Sequence, residues 1–243
     1  RGRVDAITDG LEDGAPETRL SYDGADQVKT VLDPKGLSTA YLRNGLGDLL
    51  WKRSPDTGDT AFENDANGRP VHEAPADDRH VERNYDVGGR ILTATYSDGA
   101  VTEFTYDTPA SGCDSKASFA IGRLSKVTDR DNATSFCYDF AGRVVKKTQV
   151  AHGVSLDLEY AYSKAGRLAA ITYPDGRRAT YTRDAAGNVT SIDMVSATSG
   201  VTPIAFDVRR NALGRPISWL AGARHVERTY NGMGAVTRVQ DAQ

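Results

Sequence analysis

The sequence predicts an all-β chain, an array of antiparallel β-hairpins forming a twisting, spiralling ribbon. Three observations carry this. A seven-residue phrase, Tyr-Asp-x-x-Gly-Arg-apolar, recurs along the chain. A second set of turn signals, many of them Asp-Gly, falls between its copies. No window of about 12 residues escapes Gly, Val, Ile or Thr for long enough to stay helical. The clearest copies of the phrase begin at Tyr85, Tyr138 and Tyr162, with looser ones at Tyr22 and Tyr230. A chain written this way is read as a repeat array before it is read as an enzyme.

The elements follow in order if the glycine before the arginine is taken as the anchor. Asp26 fills the first anchor position, 21 residues before Gly47. Gly68 and Gly89 follow at steps of 21 and 21. Gly122 comes 33 residues later, which places an insertion at about 108–120. Gly142, Gly166, Gly187, Gly214 and Gly234 then follow at steps of 20, 24, 21, 27 and 20. The whole of 1–243 therefore reads as one repeat region of about ten units with a period near 21.

Between the anchors, Ser97-Asp98-Gly99 separates Ile91–Tyr96 from Val101–Tyr106, and Pro174-Asp175-Gly176 separates Leu168–Tyr173 from Arg178–Tyr181. Pro34-Lys35-Gly36, His152-Gly153 and Ala221-Gly222 hold equivalent places. Glycine supplies the positive φ that such turns need. Each period is thus strand, turn, strand, turn. The position after Gly-Arg is apolar or Pro in nearly every unit (Leu49, Pro70, Ile91, Leu124, Val144, Leu168, Val189, Pro216, Val236), and many units are apolar again three residues later (Ala94, Val127, Ile171, Ile192, Trp219, Val239). A regular strand puts residues three apart on opposite faces. Either a bulge intervenes or both faces are partly covered.

Composition agrees with many short strands. Of 243 residues, 24 are Gly, 11 Tyr and only 2 Met, and 39% are hydrophobic. Mean hydropathy is −0.49. A net charge of −3 leaves no basic surplus for nucleic acid or an anionic membrane. No window reaches the length of apolar sequence that a membrane span needs. The chain opens at Arg1 rather than Met and shows no signal peptide, which predicts a fragment or a processed product of something longer.

The repeat Tyr, Asp and Arg read as structural. Tyrosine buries its ring between strands and satisfies its hydroxyl at an edge. Aspartate accepts N–H groups of the following turn. The arginine pairs with the turn or snorkels. The structural anchors are Tyr22, Gly47, Gly68, Tyr85, Gly89, Gly122, Tyr138, Gly142, Tyr162, Gly166, Gly187, Gly214, Tyr230 and Gly234. His72, His80, His152 and His225 lack metal-ligand spacing, and no nucleophile or phosphate-loop motif occurs. No catalytic residue, metal ligand or cofactor site is expected, and the chain is read as no enzyme. Cys113 lies in the insertion and Cys137 precedes a repeat tyrosine. They form either a disulfide pinning the insertion to the sheet or two buried thiols.

At this period and over essentially the whole chain, from Ser21 to Asp241, the phrase resembles the YD repeat of RHS proteins. Gly45-Leu46-Gly47-Asp48-Leu49-Leu50 and Arg143-Val144-Val145-Lys146-Lys147-Thr148 are similar to bacterial RHS phrasing. The resemblance implies a hollow β-shell enclosing a toxic C-terminal domain of the same polypeptide, as in type VI secretion effectors, polymorphic toxins and the Tc toxin cocoon. The implied partners are that toxin domain, neighbouring shell repeats and components of a secretion apparatus. The implied location is that of a secreted or delivered effector made in a bacterial cytoplasm. Asp33-Pro34-Lys35-Gly36-Leu37 is similar to the family's core-closing phrase but lies inside an ordinary repeat turn. A teneurin-like module binding carbohydrate or a cell surface is the alternative expectation.

Overall fold

The computed structural model describes residues 2–10 and 14–242, and every regular element in it is a strand. The all-β expectation holds. The chain divides into two compact units, Arg1–Thr105 with Val127–Arg130, and Tyr106–Lys126 with Asp131–Gln243.

The first unit holds β1 (Ala6–Thr8), β2 (Glu17–Tyr22), β3 (Val28–Leu32), β4 (Ser38–Arg43), β5 (Leu49–Ser54), β6 (Gly58–Asn64), β7 (Pro70–Pro75), β8 (Val81–Tyr85), β9 (Ile91–Tyr96) and β10 (Val101–Tyr106), less its last residue. Each strand pairs antiparallel with the next in sequence. β11 (Leu124–Asp129) is divided between the units. The second unit continues with β12 (Asn132–Tyr138), β13 (Val144–Ala151), β14 (Val154–Tyr162), β15 (Leu168–Thr172), β16 (Arg178–Arg183), β17 (Val189–Ser196), β18 (Gly200–Arg210), β19 (Pro216–Ala221), β20 (Arg224–Tyr230) and β21 (Val236–Ala242). There too each strand pairs antiparallel with its sequence neighbour.

The repeat-phrase turns and many of those at the other hairpin ends share one geometry, whereas Ala151–Val154 is a two-residue turn with His152 and Gly153 both at positive φ. In Tyr96–Ala100 the Gly99 N–H donates to Tyr96 O at 2.9 Å and the Tyr96 N–H to Ala100 O at 2.8 Å. Gly99 has φ +78°, whereas Asp98 is not in the positive-φ region. This is a type I turn closed by a glycine bulge, the usual three-residue hairpin loop. The turn at Asp139–Arg143 repeats it, with Gly142 at φ +77°.

Register resolves the three-residue offset. Leu168 stands opposite Tyr162 and Ala170 opposite Ala161, so Ala169 is an extra, bulged residue. Leu168 and Ile171 therefore share a face with Tyr162. The same shift recurs beside Tyr22, Arg43, Asn64, Tyr85, Tyr138, Arg183 and Tyr230. A bulge at the second residue past the turn, as at Ala169, converts the odd spacing into a single face.

That face is the less exposed one. In β8, Val81, Arg83 and Tyr85 are half-buried while Glu82 and Asn84 are exposed; β10 alternates likewise. No second layer closes over it among the described residues. Only nine residues there are buried, and the apolar ones are Ala94, Ala117, Ala120, Cys137, Ala170 and Ala179. Stability in such a sheet comes from neighbouring strands and repeats rather than from a common core.

Candidate functional site: the staple between repeats

The recurring phrase builds one constellation many times, best seen around Asp139 in the second unit. Asp139 Oδ1 accepts the N–H groups of Ala141 and Arg143, both at 3.0 Å. Its Oδ2 accepts Arg143 Nε at 2.8 Å and pairs with Nη2 at 2.6 Å. Asp86 with Arg90 and Asp65 with Arg69 repeat the pair in the first unit. Burial pushes the Asp139 carboxyl up, but the hydrogen bonds from the Arg143 side chain and backbone outweigh it, and the net shift is below the ordinary carboxylate value. Asp65 is lowered chiefly by its side-chain bond from Arg69, and Asp86 chiefly by the Arg90 backbone N–H.

The arginine then reaches the next repeat. Arg143 lies over the Tyr162 ring at 4.6 Å, Arg69 over Tyr85 at 4.8 Å, Arg123 over Tyr138 at 5.8 Å and Arg215 over Tyr230 at 5.6 Å. The tyrosine returns the contact. Its hydroxyl donates to the carbonyl of the residue after the preceding arginine: Tyr162 to Val144 O at 2.9 Å, Tyr138 to Leu124 O at 2.7 Å, Tyr85 to Pro70 O and Tyr230 to Pro216 O at 2.8 Å. Burial raises the Tyr138 and Tyr162 hydroxyls above the usual phenol range. The hydroxyl bond contributes about 1 kcal/mol and the stacked guanidinium about 0.5–1 kcal/mol at a partly exposed site.

Sequence reasoning missed two parts of this row. Gly2-Arg3-Val4 is a further arm: Arg3 lies over Tyr22 at 5.1 Å, and Tyr22 donates to Val4 O at 2.7 Å. The signal was the bare Gly-Arg-apolar triplet. The tyrosine position also accepts other donors. Asn64 Nδ2 reaches Leu49 O at 2.8 Å, Arg183 Nη2 reaches Leu168 O at 3.1 Å, and Arg210 Nη2 reaches Val189 O at 2.9 Å. A backbone carbonyl takes any donor of sufficient length, so the position tolerates chemistry that breaks the written phrase.

The anchor glycines carry positive φ, from Gly47 at +96° to Gly166 at +74°. At Gly187 and Gly234 there is a second demand, because the guanidinium of Arg167 or Arg215 occupies the space a Cβ would need. Gly214 serves its turn by φ alone, with nothing within 4 Å of an added Cβ.

The insertion opens a repeat turn without breaking its frame. Asp107 N–H still donates to Arg123 O at 3.1 Å, and Gly122 N–H donates to Asp107 Oδ1 at 2.6 Å. Between them the loop lies beside the end of β12, where Tyr138 N–H donates to Ala117 O at 3.0 Å and Phe119 N–H to Tyr138 O at 3.2 Å. Cys113 and Cys137 are joined as a disulfide. Ala117, Ala120, Ser125, Cys137 and Asp139 in this stretch are buried, most of the buried residues described in the second unit. A cavity of about 300 Å³ adjoins the bond, lined in part by Lys146, Glu159, Thr172 and Arg178.

The structure stacks His72 and His80 with ring centroids 5.6 Å apart. Among the described residues no group of three or more His, Cys, Asp or Glu is gathered to hold a metal ion. No helix among them is long and apolar enough to cross a membrane. Asp33 accepts the N–H groups of Lys35 and Leu37 at 2.9 and 2.8 Å, the same turn as elsewhere.

A family model described as RHS Repeat matches residues 162–198. The double-stranded DNA deaminase toxin A of Burkholderia cenocepacia (strain H111) is 28% identical over 209 residues, covering 75% of this chain and 14% of the toxin. Among solved structures, TcdB2-TccC3 superposes with a TM-score of 0.76 at 15% identity, covering 98% of this chain and 14% of that one. The Photorhabdus luminescens Tc holotoxin pore superposes with a TM-score of 0.72 at 16% identity, covering 97% of this chain and 13% of that one. At such identities the structural likeness is one of fold. The chain spans about a seventh of the length of the proteins it matches.

Proposed function

We propose that this RHS/YD-repeat chain is a stretch of wall in a toxin shell, which encloses a toxic domain of the same polypeptide and is delivered with it to a target cell. The observation that carries this is a sheet of stapled hairpins with almost no core among the described residues, bearing a less exposed face that none of them covers. A single layer built this way suits a container. Its action is steric: it hides the cargo from its target and from proteases, and the wall itself performs no chemistry. The polypeptide would be made in a bacterial cytoplasm and released through a type VI or Tc-like delivery apparatus. Both kinds of relative found by comparison carry toxin in their names or titles, which supports this reading.

Limited proteolysis of the full-length polypeptide, followed by intact-mass analysis, tests it. A C-terminal domain that resists protease until the repeats are denatured is the expected result. A domain digested before the repeats, or none at all, would overturn it. Reproducible hits on a glycan array would then favour the adhesion module.

A further inference from the structure

The second unit holds a cavity of about 310 Å³ between β17, β18, β19 and β20, on the face that carries the tyrosines. Its walls are apolar: Val189, Ile192, Ala205, Val208, Pro216 and Trp219. The register explains the collection. Ile192 stands opposite Ala205, and Trp219 opposite Val226, with Arg228 two residues further along the same face. The Arg228 guanidinium lies over the Trp219 ring at 5.0 Å. Its Nε is buried and has no hydrogen-bond partner.

This buried donor lacks the carboxylate its chemistry asks for. Asp241, placed on the same face by its pairing with Val226, faces Arg224 at 3.7 Å. Glu227 points to the other face and accepts Gln240 Nε2 at 2.8 Å. Arg210, at the rim, is spent on the carbonyls of Gly214 and Val189. One strand away, Arg183 pairs in register with Val189 of the cavity wall, but it too is spent, on the carbonyls of Gly187 and Leu168. The Arg228 guanidinium thus borders an apolar hollow, stacked on its indole. A buried donor without a partner is costly to leave unmet, so an occupant that brings an acceptor to the Arg228 guanidinium offsets part of that cost.

We propose that this hollow holds an extended polypeptide segment in which an apolar side chain stands two residues from a carboxylate, so that both face the sheet. The apolar group would fill the hollow against Trp219, and the carboxylate would take the Arg228 guanidinium. A chain is favoured over a small molecule because the site lies on an uncovered sheet face and cannot enclose most of a small ligand, as dedicated pockets do. A strand-like segment instead gains contacts on both sides of the hollow. The encapsulation reading enters only in naming the source of that segment, the enclosed cargo.

The test uses the 243-residue chain with Trp51→Phe, so that Trp219 is the only fluorophore of its kind. Acetyl-Glu-Ala-Phe-Ala-Glu-amide, which puts Phe and both carboxylates on one face of an extended chain, is titrated against acetyl-Gln-Ala-Phe-Ala-Gln-amide. A saturable change in Trp219 emission is expected with the acidic peptide, about tenfold weaker with the glutamine peptide and about tenfold weaker in Arg228→Gln, one decade being about 1.4 kcal/mol. Equal affinity for the two peptides, or no saturable change with either, would overturn the proposal. The peptide pair decides even if Arg228→Gln fails to fold. Because the peptides are added free, the result stands apart from whether a cargo domain is protected from protease.

Discussion

Two kinds of repeat turn differ in what holds the arginine. In the acid-bearing turns, Asp65, Asp86 and Asp139 grip Arg69, Arg90 and Arg143. In the turns at Ser163 and Asn211 the acid is gone, and neither Ser163 nor Asn211 can form the ion pair for Arg167 or Arg215. The consequence shows one repeat onward. A methyl group on Gly89 would stand 3.4 Å from Arg69 Nη1, and one on Gly166 would stand 3.5 Å from Arg143 Nη1. At Gly187 and Gly234 the methyl would land on the guanidinium of Arg167 or Arg215. In turns of unbroken length the carboxylate holds the arginine back and without it the arginine settles onto the next glycine; Arg123, whose turn is opened by the insertion, also lies against its next glycine, Gly142. Tethering in one turn thus determines how much room the following turn has.

The largest effect should come from glycine substitution. Gly166→Ala meets only ordinary contact with Arg143 and should lose only the backbone cost of positive φ, about 1–2 kcal/mol. Gly187→Ala must also displace Arg167 and should lose about 1 kcal/mol more, read as a lower denaturant midpoint at unchanged slope. Equal losses at the two sites would break the comparison.

Asp139→Ala comes next. It removes two backbone bonds and an ion pair from a carboxylate that is 12% exposed, and about 2 kcal/mol of stability should go with it. The effect should depend on pH. Because the folded-state pKa of Asp139 is depressed, its contribution is fully present above the unfolded value of about 3.9. It fades as pH falls below that value and is lost once pH passes the folded one. The stability gap between the native chain and Asp139→Asn should therefore close on acidification from pH 6. The gap for Ser163→Ala, where no carboxylate is involved, should stay constant. A Ser163 gap that closed in the same range would count against the assignment.

Smaller again is Tyr162→Phe, which should lose about 1 kcal/mol with the bond to Val144 O. The smallest change is a gain. Ser163→Asp restores the tether and should add about 0.5 kcal/mol. Its sharper signature is coupling: in the Ser163→Asp background, Gly187→Ala should cost less, because Arg167 is drawn away. A double-mutant cycle showing additivity would sink the tether account.

Much of this was legible in the residues. Gly142 and Asp139 announce their turn, since positive φ and the short-range bonds of an aspartate are properties of five consecutive residues. The strands between turns were legible for the same reason, and so was the insertion, as a break in the period. The offset of Leu168 and Ile171 left a bulge and a covered face equally open, because a bulge exists only against a partner strand. Arg183 and Asn64 were not legible as stand-ins for tyrosine, because what defines the position is a carbonyl 15 residues away. Cys113 and Cys137 were visible as a pair, but the bonding needed the loop to lie beside β12.

The sequence alone determined the repeat, its turns and the all-β class, because glycine dihedrals, aspartate capping and β-branched runs act over a few neighbouring residues. The tertiary structure alone decided which face the bulges present, how each arginine meets the next repeat, and where Trp219 and Arg228 leave a hollow with an unmet donor. Those outcomes depend on register between strands, and a shift of one residue in register would send every side chain to the opposite face.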